Sequence, residues 1–151
     1  MKLFTSLIFL LLGAVVAFSC SPAKLSPQLF GETVPPNHCR VTATVLSIDP
    51  NVQSSKADDP CAKAPCGASL RIDEVIGYGS AFSSPLAAGD VVEVHFAFST
   101  GPTKTILPEL SRPFPGVEKG TRLTADLQGE ITRRGSEEEK KKFTIFGYQV
   151  R

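Results

Sequence analysis

The chain has 151 residues, enough for one domain and too few for two of ordinary size. Sixteen basic and fifteen acidic residues leave a net charge of +1, which excludes a long-range field for drawing in nucleic acid, anionic lipid or acidic substrates. Trp is absent and only two Tyr are present, so aromatic platforms for bases or sugars are scarce, while twelve Pro and twelve Gly point to many turns between short strands.

Residues 1–19 read as a signal peptide. Lys2 supplies a positive start, and Leu7–Phe18 is an apolar run of twelve residues. A bilayer-spanning helix needs about 20 apolar residues, so the run is short for an anchor. The run ends in Val16-Ala17-Phe18-Ser19-Cys20. A small residue directly before a Cys at this point resembles the lipobox of bacterial lipoproteins, with Ala17 where that box usually carries Leu. The resemblance implies that the Cys20 thiol receives diacylglycerol, that the signal is cut before it, and that the new amino group is acylated. Ser21 then implies sorting to the outer membrane, facing the periplasm. The membrane is thus an expected partner, held through a lipid anchor. Ordinary secretion is the alternative, because Ala17-Phe18-Ser19 also fits the small-x-small cleavage rule and would leave Cys20 as a thiol or a disulfide partner. Both routes deliver the mature chain to an oxidising compartment.

Residues 20–38 comprise Cys20 and a Pro-rich tether, with Leu29-Phe30 placed to pack back onto the domain that occupies 39–151. Arg40–Ile48 alternates through Val41, Ala43 and Val45, then slips phase to Leu46 and Ile48, which predicts a strand with a bulge. Asp49–Gly67 is a polar loop, and Ser69–Ile76 is the second strand. Val91–Phe98 is the third, with Val92, Val94, Phe96 and Phe98 on one face and Glu93 and His95 on the other. Ser99–Lys119 carries Pro102, Pro108, Pro113 and Pro115, which leaves room for one helical turn at most. Leu123, Ala125 and Leu127 begin the fourth strand, closed by Gly129–Ile131. Arg133–Lys142 is a charged turn, and Lys142–Val150 is the fifth strand. The segments around Gly89 and Gly120 share one pattern of apolar residue, Gly, polar residue and alternating strand, and are read as one turn-to-strand device used twice. The fold class is therefore all-β. Five strands with a bulged first strand and a long third connection resemble the OB-fold, a small five-stranded barrel. An immunoglobulin-like sandwich would need about seven strands.

Cys61 and Cys66 are close enough in sequence to close a small loop, and a disulfide stapling the first loop is the expected state. A redox pair more often has two intervening residues, and here there are four. His38, Cys39, Cys61 and Cys66 have the ligand types of a zinc site, but His38 and Cys39 open the first strand and should lie far from the loop at its other end. No metal and no cofactor is expected. Arg71, Asp73, Glu93 and His95 are expected to share the face of strands two and three, where OB-folds often bind ligands. A solvated face with cross-strand charge pairs is the plainer alternative. No aromatic residue interleaves there, which argues against single-stranded nucleic acid. No nucleophile elbow, P-loop, zinc-protease helix or dinucleotide fingerprint is present, so no enzyme is expected.

Cys20-Ser21-Pro22, with Cys39 leading into RVTATV, also resembles netrin-like modules, which include the tissue inhibitors of metalloproteases. That resemblance implies a free Cys20 terminus chelating a protease zinc. Pro22 stands where those inhibitors have a second Cys, and no Cys follows Cys66. The leading expectation is a lipid-anchored binding module for a protein or small polar ligand. The alternatives are a secreted inhibitor using Cys20 and a metal or redox protein using Cys39, Cys61 and Cys66.

Overall fold

A computed structural model describes residues 30–52, 54–129 and 142–151. The signal peptide, Cys20 and most of the Arg133–Lys142 turn lie outside the described residues.

Five strands close into one barrel: β1 (His38–Ile48), β2 (Gly67–Tyr78), β3 (Val91–Phe96), β4 (Arg122–Gly129) and β5 (Lys142–Val150). Their order around the wall is β1-β2-β3-β5-β4, and β1 pairs with both β2 and β4 to complete it. β3 and β5 run parallel, and every other pairing is antiparallel. This is a small all-β, OB-like barrel. Closure removes the sheet edges that would otherwise expose unpaired backbone groups. Among the described residues, two single-turn helices interrupt the loops: α1 (Pro60–Lys63) and α2 (Thr103–Ile106). The Pro-rich third connection thus holds one helical turn, which is what its four prolines leave room for.

Alternating apolar residues fill the interior. Val41, Ala43, Val45, Leu70, Ile72, Phe96, Leu123, Leu127, Phe143 and Ile145 are all buried to 1% exposure or less. The phase slip in β1 falls between Val45 and Ser47, where the register to β2 shifts. The same pair of strands shifts again at Arg40/Val41 and Thr42/Ala43, and a further irregularity, in β5, is not visible in the sequence. β4 advances from Ala125 to Leu127 while β5 steps from Tyr148 to Ile145, so β5 carries an extra residue there. It leaves Phe146 exposed and turns Tyr148 inward, where Tyr148 stacks on Phe114 with ring centroids 4.9 Å apart. β3 ends at Phe96, two residues before its expected end. Phe98 leaves the strand and stacks on Phe114 instead.

The repeated turn device is real at the level of individual hydrogen bonds. Gly89 N–H donates to the Ile72 carbonyl, and Ile72 N–H donates back to the Asp90 carbonyl. Gly120 N–H donates to Val45, and Val45 N–H donates back to Thr121. Within each turn the side chain after the Gly accepts from a backbone N–H, Ala87 to Asp90 and Glu118 to Thr121. Both glycines have positive φ, 96° and 90°, a region costly for a residue with a Cβ.

Residues 30–37, part of the Pro-rich stretch, lie against the barrel. Arg40 makes a two-pronged pair with Asp126 at 2.7 and 2.9 Å. Its remaining nitrogen donates to the Gly31 carbonyl at 2.7 Å, and Phe30 sits over the guanidinium at 4.9 Å. Gly79 is needed opposite this segment, since a Cβ there would run into the Pro35 carbonyl.

Candidate functional site

The four residues expected on the β2–β3 face separate into two groups. β2 is irregular around Asp73, where the register to β1 shifts between Thr42 and Ala43. The Asp73 carboxylate accepts from Thr44 Oγ1 at 2.6 Å and from the Arg71 guanidinium at 3.2 Å, and Arg122 Nε lies 3.4 Å away. The Thr44 hydrogen bond is the main cause, ahead of Arg71 and Arg122, that holds this carboxyl below its usual range. Both carboxylate oxygens are engaged within the barrel wall, so Arg71 and Asp73 form a structural cluster.

Glu93 and His95 belong to a second place. Cross-strand register aligns Ser47 with Ser69, Ser69 with Glu93, and Glu93 with Lys142. This gives one row of polar side-chain positions across β1, β2, β3 and β5. The next row pairs Gly67 with His95 and His95 with Thr144. The first row, with Gly67 and His95 of the second, lines a cleft of about 530 Å³, bounded also by Asp49 at the start of the first loop and by Ile48 and Phe143. Asp49 accepts from the Asn51 backbone and side chain, which fixes that rim. The cleft therefore lies where the Asp49–Gly67 loop and the start of β5 meet. The sequence marks Lys142 as the junction of the charged turn and the fifth strand, which is where it lies, but does not single out Ser47, Ser69 or Asp49 as site residues. Their alignment is a property of register, which single strands do not reveal.

Beside the cleft stand the cysteines. Cys61 and Cys66 are disulfide-bonded, with Cα atoms 5.4 Å apart. Asp59 caps α1 by accepting from the Cys61 N–H at 2.9 Å, with Pro60 at the first helical position. The Asp59 carboxyl is held below its usual range, first by Ser54, then by the Cys61 amide, with smaller contributions from His95 and Lys56. Cys66 is tied to β3 by Phe96 N–H to the Cys66 carbonyl at 2.8 Å, and Pro65 accepts from the Thr100 amide and hydroxyl. His95 Nε2 lies 3.7 Å from Cys61 Sγ. Gly67, opposite His95 on β2, has no side chain to block that approach.

Cys39 takes no part. It is fully buried at the other end of β2, opposite Tyr78, with no disulfide partner among the described residues. Strand rise puts it on the order of 30 Å from Cys66 along the sheet. Burial, and then the charge of Asp126, push its thiol up to about 11, so it stays protonated. His38 is at the same end, its Nδ1 2.7 Å from the Pro36 carbonyl. A metal or redox centre that includes Cys39 or His38 with Cys61 and Cys66 is therefore corrected. Strand length separates the two sets, and the residue that joins the cysteines is His95.

No helix among the described residues is long and apolar enough to cross a membrane. Comparison with protein-family models, curated proteins and solved structures finds no match.

Proposed function

We propose that this protein is a cell-envelope lipoprotein, anchored at Cys20 in the outer membrane, whose barrel binds a small polar ligand without turning it over. One observation carries the ligand reading: the row Ser47–Ser69–Glu93–Lys142 across four strands, lining a cleft of about 530 Å³. That volume suits a small molecule, for which sites of roughly 300–1,000 Å³ are usual. The lining offers hydroxyls, two carboxylates, an imidazole and one ammonium, so it suits a hydroxylated or amine-bearing molecule better than an anionic one. A protein partner would call for a broader surface, about 800 Å² on each side. The anchor reading rests on the lipobox-like residues ending in Cys20.

Two experiments test the two halves. Intact mass of the mature protein should show acyl chains on a new terminus at Cys20. An unacylated Cys20 in a disulfide would instead return the inhibitor reading. For the cleft, thermal-shift measurements with monosaccharides, amino acids and polyamines should find a stabilising class for the wild type. Ser69→Trp, which fills the cleft from its wall, should lose that shift. Equal shifts in both proteins would remove the cleft as the site.

A further inference from the structure

We propose that Cys61, Cys66 and His95 form a zinc site that opens when the disulfide is reduced. The ligand atoms of these three residues all lie within 4.8 Å of one another. In a tetrahedral zinc centre the sulfur-to-nitrogen edge is about 3.6 Å and the sulfur-to-sulfur edge about 3.8 Å, from the usual Zn–S and Zn–N bond lengths. His95 Nε2 already stands 3.7 Å from Cys61 Sγ. The largest adjustment is for the two sulfurs to part, and α1 is a single turn that can carry Cys61 outward while β3 holds Cys66. The cysteines are 3% and 0% exposed, so the ion would be shielded on the thiolate side. His95 also lines the cleft, so the fourth position faces a place that solvent or a ligand can reach.

The chemistry balances with a dithiol as reductant. The dithiol gives two electrons and two protons to the Cys61–Cys66 bond and becomes a disulfide itself. Each cysteine is then a thiol, with a carbonyl oxygen already near its sulfur: Phe96 at 3.8 Å from Cys61 Sγ and Ala64 at 3.9 Å from Cys66 Sγ. Zn²⁺ displaces both thiol protons to solvent and takes neutral His95 through Nε2 as its third ligand. Thiol–disulfide exchange with a partner disulfide reverses the reduction: the two thiolates give two electrons to that disulfide, which takes up two protons and becomes a dithiol, while the Cys61–Cys66 bond reforms and the ion is released. The site is thus a metal-or-disulfide switch at the mouth of the barrel, and it does not depend on the identity of any cleft ligand.

The test uses the mature chain, reduced with a phosphine under argon and titrated with Co²⁺, then with Zn²⁺. The expected result is one equivalent of cobalt with thiolate charge-transfer absorption, displaced by one equivalent of zinc. The oxidised protein should bind none. Cys61→Ser and Cys66→Ser should abolish the absorption. His95→Ala should weaken binding tenfold or more, with His95→Gln as the second variant should the first not fold. Cys39→Ser should leave stoichiometry and spectrum unchanged, since Cys39 is buried at the other end of β2. Absence of stoichiometric binding by the reduced wild type would overturn the proposal. So would binding that survives Cys61→Ser, or binding indifferent to both His95 variants.

Discussion

Reducing the Cys61–Cys66 bond, with a chelator present to keep metal away, isolates what the disulfide contributes. The two cysteines are five positions apart. For so short a loop the chain-entropy relation gives about 2 kcal/mol at 25 °C. Little else should change, because both sulfurs keep their buried places and a thiol is a small apolar group. With a urea dependence of about 2 kcal/mol per molar for a domain of this size, the midpoint should fall by about 1 M. Far-ultraviolet circular dichroism reads the barrel directly, and tyrosine emission reports Tyr148 in the core. Hydrogen exchange should show the loss concentrated at the amides of Phe96 and Thr100, which bond to Cys66 and Pro65. An unchanged midpoint would refute the reasoning, since it would mean that the first loop is held equally well without the bond.

Three further outcomes follow from the wall of the barrel. The depressed Asp73 carboxyl contributes stability that is fully present above its unfolded-state value of about 3.9 and is lost as pH falls through the lower folded value. Urea midpoints between about pH 4 and pH 2 should therefore drop more steeply for the wild type than for Asp73→Asn. Thr42 Oγ1 is buried with no hydrogen-bond partner among the described residues, so Thr42→Val should be neutral or stabilise by up to about 1 kcal/mol in the same assay. Gly89→Ala and Gly120→Ala should each cost about 1 kcal/mol or slightly more by thermal unfolding, and by similar amounts, because both turns have the same bonds and φ, with open space around the missing Cβ.

Most of the barrel was legible from alternation alone. Val41, Ala43 and Val45 in β1 and Val92, Val94 and Phe96 in β3 are apolar at every second position, and one buried face is what such a strand must have. The slip at Leu46 gave away a bulge because it broke that period. The β5 bulge hid because Phe146 is as apolar as its neighbours, yet it points to solvent at 53% exposure. The site was less legible for a different reason. Twelve residues separate the end of β2 from the start of β3. A two-residue hairpin would have set the register, and a connection this long does not. Without register, Arg71 and Asp73 could be placed on the same face as Glu93 and His95, but not assigned to Thr44 and Arg122 instead. The same gap concealed that His95 faces Gly67 and so reaches the cysteines. One signal was available in the chain: Asp59-Pro60 is an N-cap and first helical residue, and marks the turn of helix that presents Cys61.

The most direct test of the ligand reading is native mass spectrometry of the protein taken gently from its own envelope. Wild-type protein should carry a discrete additional mass of a small polar molecule, and Ser69→Trp, expressed to the same level and equally folded, should carry none. A wild-type protein that arrives bare, or a bound mass that persists in Ser69→Trp, would contradict the assignment of the Ser47–Ser69–Glu93–Lys142 row as a binding site.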